Sequence, residues 1–175
     1  RNYSSYSRGI NGIMVDIVGR PAAALTNSDF AFRVGNDNSP SQWPAAPAPT
    51  TIATRAAAGD GGSERLTLIW PDGAIRNQWL QVTVKATAAT GLLQPAVFYF
   101  GNAVGEVGNA TSNALVNATD EITARSNPRT FVNPAPITSQ HDHNRDTFVN
   151  ATDQILARSN TTTLATALKL ISAPS

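Results

Sequence analysis

Apolar and polar residues alternate in short runs through the first hundred residues of the chain. In the clearest run, Ile13, Val15 and Ile17 alternate with Met14 and Asp16. This period of two is typical of a strand with one face in a core. Six such runs are predicted as strands, at residues 11–18, 29–34, 50–55, 63–70, 78–86 and 96–100. Short strands separated by turn residues favour an antiparallel β-sandwich, which we place at residues 1–103.

The period changes after about residue 104, where the spacing of apolar residues becomes helical. Helices are predicted at residues 119–126 and 152–160, and a closing helix at 163–171. The apolar residues of this part are expected to pack together: Ile122, Ile155, Leu156, Phe131 and Leu164. The fold is therefore predicted as mainly β with a small α part, the second domain spanning residues 104–175.

The helical part contains an internal repeat. Residues 116–127 and 149–160 are identical at ten of twelve positions, 33 residues apart. The exceptions are Glu121 against Gln154 and Thr123 against Leu156. Two similar units in tandem are therefore expected, each with a polar loop that leads into a helix.

The loop of the second unit, residues 142–153, carries oxygen atoms at regular positions. Side-chain oxygens fall at loop positions 1, 3, 5, 9 and 12, and position 7 would offer a backbone carbonyl; these residues are Asp142, Asn144, Asp146, Asn150, Asp153 and, at position 7, Phe148. This is the ligand spacing of an EF-hand loop, in which Ca²⁺ takes six to eight oxygens. Thr147 replaces the usual glycine, and an aspartate replaces the usual final glutamate. The alternative is a polar turn that binds no ion.

The loop of the first unit has far less negative charge. Its aligned positions are Asn109, Thr111, Asn113, Leu115, Asn117 and Asp120. Asp120 is the one carboxylate in that register, so Ca²⁺ should bind more weakly here or need ligands from elsewhere. Asn102 and Glu106 are near enough in sequence to supply them. A loop that has lost its ion altogether remains equally open.

The two loop–helix units resemble the dockerin family, in which V-N-x-x-D closes each of two calcium loops, as it does at residues 116–120 and 149–153. The resemblance covers residues 104–175. It implies Ca²⁺ as cofactor and docking onto a β-sandwich partner, the cohesin. More loosely, R-G-I-N-G-I-M-V-D-I at residues 8–17 and V-F-Y-F-G-N-A-V-G-E at 97–106 look like a module that precedes such repeats in large bacterial surface proteins.

Composition excludes several classes of protein. Charged residues make up 14% of the chain and the formal net charge is +1, without a basic cluster, which argues against binding of nucleic acid. No apolar run is long enough to span a bilayer. The chain has no cysteine. Because a calcium loop of modest charge needs millimolar Ca²⁺, we expect an extracellular or cell-surface location.

Candidates for catalysis and for sugar binding are few. His141 and His143 flank Asp142, but alternate loop residues should point outward, and neither histidine is beside a nucleophile in sequence. We therefore predict no catalytic residue and no enzyme. Trp70 and Trp79 are expected in the core. Trp43, in a proline-rich loop, is the possible ligand contact, since aromatic rings stack on sugars.

These features predict an extracellular calcium-binding protein with a structural or adhesive role. If its helical module docks onto the sandwich of the next copy, the contact does not close, and head-to-tail repetition gives a filament. One alternative keeps the helical module on its own sandwich, as a cap at the end of a larger protein. Another is a carbohydrate-binding or anchoring module of a secreted enzyme, with a polysaccharide as ligand.

Overall fold

The computed structural model describes residues 2–172, which form two β-sheets and two α-helices. The strands are β1 (Tyr3–Ser4), β2 (Gly12–Ile17), β3 (Phe30–Gly35), β4 (Thr51–Arg55), β5 (Glu64–Ile69), β6 (Trp79–Val84) and β7 (Ala96–Asn102). The helices are α1 (Ala118–Ser126) and α2 (Ala151–Ser159). Six strands and both helices were predicted within a few residues of these limits, so the mainly β class with a small α part is confirmed. Among the described residues, no helix is long and apolar enough to cross a membrane.

The strands form one sheet of four and one of three. The first has the order β1-β7-β6-β3 and the second β2-β5-β4. All pairs are antiparallel except β1 with β7, where Tyr3 lies opposite Gly101 in a parallel register. The prediction of a purely antiparallel arrangement is wrong at this edge, because a strand of two residues has no alternation to read.

The two sheets face each other across a shared apolar core. One face of β2, β3, β5 and β6 supplies most of it, as the alternation predicts: Ile13, Val15, Ile17, Phe30, Phe32, Leu66, Leu68, Leu80, Val82 and Val84. Trp70 closes the core, with its ring edge-on to Phe32 at 5.5 Å and its indole N–H donated to the carbonyl of Pro47. Each buried side chain of this size contributes about 1.5–3 kcal/mol. We call residues 2–105 the two-sheet body.

Residues 106–172, which we call the C-terminal cap, pack on the outer face of the four-stranded sheet. Leu168 of the cap lies in a second apolar cluster with Trp43, Trp79, Ala103 and Ala114. The indole N–H of Trp79 donates to the carbonyl of Lys169 at 2.7 Å. These contacts bury both tryptophans, at 2% and 5% exposure, so the body and the cap share one interior.

The predicted closing helix at residues 163–171 is wrong. A turn at Thr163–Thr166 is followed by an extended segment, in which Leu168 bridges to Ala114. Asn36 of the body bonds to this segment on both sides of Leu168. Its side-chain amide donates to the carbonyl of Ala167, and its side-chain oxygen accepts the N–H of Lys169. The contacts with the body override the helical spacing.

The apolar cluster expected around Ile122 and Ile155 is not buried. These side chains are 54% and 56% exposed, and Phe131 and Leu164 are exposed as well. The helices instead meet through charged groups, with Glu121 paired to Arg158 of the other helix. The buried positions of the helices are small: Ala157 of α2 lies against Gly105, and Ala124 of α1 packs with Ala135 and Val149.

We predict that Gly105→Ala destabilises the protein more than Gly73→Ala. Both glycines have a positive φ, of 85° and 78°. A Cβ at residue 105 would lie 2.8 Å from Cα of Ala157, whereas a Cβ at residue 73 meets nothing within 4 Å. Because only the first substitution pushes α2 from the body, it should cost about 1–3 kcal/mol more, measured by urea unfolding. Equal losses would contradict the packing of the cap on the body.

A second prediction concerns acid sensitivity. The Arg65 guanidinium on the neighbouring strand lowers the pKa of Asp16 to about 2, with help from the N–H of Asp60. A lowered pKa gives stability that is present above the unfolded-state value and is lost as the pH falls through the folded-state value. Wild type should therefore exceed Asp16→Asn in free energy of unfolding at pH 5 and lose that advantage as the pH nears 2. A constant difference would contradict the ion pair.

Candidate functional site

The loop at residues 142–153 is folded around the carboxylate of Asp142. One oxygen of this carboxylate accepts the N–H of Asp146 at 3.2 Å, and the other accepts the N–H of Thr147 at 3.0 Å. The N–H of Phe148 in turn donates to Asp146. Arg145 and Thr147 have φ values of 60° and 72°, the left-handed conformation that usually favours glycine. The loop therefore makes the sharp turn without the glycine that calcium loops usually have there.

Asp153 joins the end of this loop to its beginning. Its carboxylate accepts the N–H of His143 at 2.7 Å with one oxygen and the N–H of Asn150 at 3.0 Å with the other. Asn150 caps α2 by accepting the N–H of Thr152. The structure thus ties the predicted positions 1, 5, 9 and 12 into one hydrogen-bonded loop, and Asn144 joins it by donating to Asp146.

The acids of this loop are close enough to repel one another. Asp153 is fully buried and Asp142 is 2% exposed. Burial raises the pKa of Asp153, and the charges of Asp142 and Asp146 raise it further. Negative charge concentrated in a buried place is unfavourable unless a cation or a proton offsets it.

The loop before α1 repeats this arrangement with a different length. Asp120 is fully buried, and its carboxylate accepts the N–H groups of Asn117 at 2.8 Å and Val107 at 3.0 Å. Val107 precedes Asp120 by 13 residues, whereas His143 precedes Asp153 by 10. The first loop is therefore three residues longer than the second.

This extra length changes which residues begin the first loop. The structure places Glu106, which is 2% exposed, where the second loop has Asp142. Asn109, the aligned first position, is exposed and donates its amide to Asp120. Thr111 is exposed too, while Asn113, the aligned position 5, accepts the N–H of Leu115. The sequence contains one indication that Glu106 begins the first loop: it is the one acidic residue between Asp72 and Asp120.

His143 lies inside the protein and not on its surface. His143 is completely buried, so the expectation that it points outward is wrong. Neither of its ring nitrogens has a hydrogen-bond partner. Burial lowers the pKa of His143 to about 4, with smaller contributions from Arg145 and His141, so the ring is neutral at physiological pH.

Trp43 does not present its ring to solvent. It is 2% exposed, its indole N–H donates to Asp37 at 2.9 Å, and its ring lies edge-on to Tyr99. Its prediction as a ligand contact is wrong, because the cap and the body cover the ring on both sides. Trp70 and Trp79 are buried, as expected.

Comparison of the chain with protein-family models, with curated proteins and with solved structures found no match. Within residues 2–172, no group of three or more His, Cys, Asp or Glu side chains is arranged to hold a metal ion. The resemblance to dockerins is therefore wrong. The physical reason is that the two loops differ in length and that an extended segment follows α2. The repeated sequence around the start of each helix is too short to make two equal loop–helix units.

We predict that His143→Leu changes the free energy of unfolding by no more than about 1 kcal/mol, because it removes no hydrogen bond and nearly conserves volume. Thermal or urea unfolding measures this, with His141→Leu in the same loop as the matched variant. A loss beyond about 3 kcal/mol would mean that the His143 ring makes a bond that stabilises the fold.

Proposed function

We propose that this chain is a calcium-stabilised structural module of an extracellular protein, in which a β-sandwich carries a C-terminal cap fastened by Ca²⁺. The ion would bind in the loop at residues 142–153. The observation that carries the proposal is the buried carboxylate of Asp153, which is hydrogen-bonded to both ends of a loop that holds two further acids.

The side chains of this loop suit calcium better than other metals. Ca²⁺ is a hard cation that takes carboxylate, amide and backbone oxygens together, so it does not require a cluster of acids or histidines. The residues that would hold it are Asp142, Asn144, Asp146, Phe148 through its carbonyl, Asn150 and Asp153. The ion would supply positive charge and no reaction chemistry.

Fastening this loop has consequences for the whole chain, because the loop contacts the body directly. The carbonyl of His143 accepts the N–H of Ser7 at 2.7 Å. The hydroxyl of Ser5 donates to the carbonyl of Gln140. An ordered loop would therefore also stabilise the segment that connects β1 to β2.

A structural role is supported by what the buried acids do. Asp29 accepts the N–H of Thr26 and the hydroxyl of Thr87. Glu106 accepts the hydroxyl of Tyr3 at 2.6 Å and the N–H of Gly108. These bonds fix turns and strand ends, which is a structural use of carboxylates.

Of the two ways in which a cap could be used, the contacts favour the intramolecular one. Leu168 packs on Trp79 of the same chain, and the carbonyl of Lys169 accepts the indole N–H of Trp79. This face of the body is therefore already covered and is not open to the cap of another copy. The carbohydrate-binding alternative relied on an exposed ring at Trp43, and this ring is buried. We therefore propose a rigid module that terminates or joins parts of a larger surface protein.

We predict that chelation lowers the melting temperature of the wild type and that Asp142→Asn or Asp146→Asn gives the same low value in Ca²⁺. An ion that binds only the native state adds about 2.7 kcal/mol at a hundredfold excess over Kd. The measurement is differential scanning calorimetry with Ca²⁺ and with EGTA.

The matched control is Asp60→Asn, which alters an exposed turn of the body and should keep the full response to Ca²⁺. A wild-type melting temperature that is the same in Ca²⁺ and in EGTA would overturn the proposal. If Asp60→Asn lost the response as well, the ion would act at some place other than this loop.

A further inference from the structure

Residues 2–7, which we call the strap, lie along the junction between the rest of the body and the cap. They contain β1 and read N-Y-S-S-Y-S. On one side, carbonyls of the strap accept three backbone N–H groups of the body, those of Gly101, Ala103 and Gly105. The side chain of Asn102, which is fully buried, donates to the carbonyl of Tyr6 at 2.9 Å. Hydrogen bonds thus hold this side of the strap against β7 and the residues that follow it.

The other side of the strap faces the two loops of the cap. The hydroxyl of Tyr3 donates at 2.6 Å to the carboxylate of Glu106, which begins the first loop. The hydroxyl of Ser5 donates at 3.3 Å to the carbonyl of Gln140, just before the second loop. The strap therefore ties the body to both loop regions at once.

A third bond connects the strap to the carboxylate of Asp153 through a single residue. The N–H of Ser7 donates to the carbonyl of His143 at 2.7 Å, and the N–H of His143 donates to the carboxylate of Asp153 at 2.7 Å. The position of His143 therefore depends on both the strap and the buried acid. If repulsion among the acids displaces the start of the loop, the carbonyl that accepts the N–H of Ser7 moves with it.

Few apolar contacts oppose release of the strap. Its side chains are those of serine, tyrosine and asparagine, and Tyr3 is partly buried in the cluster around Trp79. In contrast, Leu80, Val82 and Val84 of the central strand β6 are completely buried. Segments with few buried apolar contacts open at a lower free energy than core strands do. The strap can therefore separate while the two sheets stay folded.

We propose that Ca²⁺ in the loop at residues 142–153 keeps the strap closed over the junction, and that the strap separates from the cap when the ion is lost. Both sheets stay folded in either state. The inference rests on the proposed calcium site and adds to it a segment of the body that responds to the ion. The junction between body and cap is then stiff where Ca²⁺ is abundant and loose where Ca²⁺ is scarce.

The test is amide hydrogen exchange of the full chain, followed by NMR in Ca²⁺ and in EGTA. In Ca²⁺ we expect slow exchange at Ser7, Ala103 and Gly105, because their N–H groups take part in the bonds of the strap. In EGTA these three amides should exchange within about tenfold of the rate of an unfolded chain, as in a segment that opens at almost no cost. The amide of Val82 should remain protected in both conditions.

The other outcomes of this experiment are distinguishable. If Thr147 of the loop loses protection in EGTA but the strap amides keep it, the calcium site stands and the inference is overturned. If Val82 loses protection together with the strap, the ion holds the whole fold, which also overturns the inference. If no amide of the loop responds to Ca²⁺, the proposed function itself fails, and the inference fails with it.

Weakening the strap should in turn weaken the binding of Ca²⁺, because coupling between two sites is reciprocal. Tyr3→Phe and Ser5→Ala each remove one hydroxyl donor to the cap. Each should raise the Kd for Ca²⁺ roughly two- to tenfold, which corresponds to one hydrogen bond, as measured by isothermal titration calorimetry. In EGTA, where the strap is open, both variants should melt at the temperature of the wild type.

The matched control is Ser63→Ala, which removes a buried hydroxyl donor to the carbonyl of Asp60 within the body. Its Kd for Ca²⁺ should equal that of the wild type. An unchanged Kd in the double variant Tyr3→Phe/Ser5→Ala would overturn the inference. A lower melting temperature of this double variant in EGTA would do so as well, because the two hydroxyl bonds would then stabilise the fold without the ion.

Discussion

Burial of the Asp153 carboxylate is the constraint on which the arrangement of the cap depends. This one group caps the start of α2 through Asn150 and holds the preceding loop through His143. It is fully buried beside two other acids, which makes its charge unfavourable on its own. The same geometry thus orders the loop and concentrates negative charge, which a positive charge or a proton would offset. The Ca²⁺ that we propose for this loop would offset that negative charge.

The contact between the cap and the body gives this local constraint a wider effect. Trp79 and Trp43 have one side on the sheet and the other under the extended segment at Leu168. Gly105 brings the backbone of the body against Ala157 in α2, where no side chain would fit. Apolar burial is the dominant favourable term in folding, and the loop region adds hydrogen bonds to Ser5 and Ser7 of the body. Loss of order at the loop is therefore expected to loosen the tryptophan cluster as well.

The sequence predicts those parts of the fold in which the local spacing of apolar residues matches the face that is buried in the structure. Strands such as β2 and β6 alternate cleanly, and each helix starts at an asparagine cap that the repeat makes visible. The extended segment around Leu168 was missed because its apolar residues have helical spacing while Asn36 and Trp79 hold it straight. Such a conformation is decided by contacts distant in the chain, which no local period records.

The same distinction applies to the candidate site. Asp142 and Asp153 were found because their spacing within one short loop is the signal itself. Glu106 was assigned to no loop position, since a three-residue insertion shifts it out of the aligned register, and only the bond from Val107 to Asp120 reveals the correspondence. Trp43 was misplaced for the opposite reason: a proline-rich loop suggests exposure, whereas the cap covers it.

A crystal structure of the full chain grown in calcium, with anomalous diffraction data, would test the central claim most directly. The account predicts one strong anomalous peak about 2.3–2.6 Å from oxygens of Asp142 and Asp153. A well-ordered loop at residues 142–153 with no peak among its oxygens would contradict it.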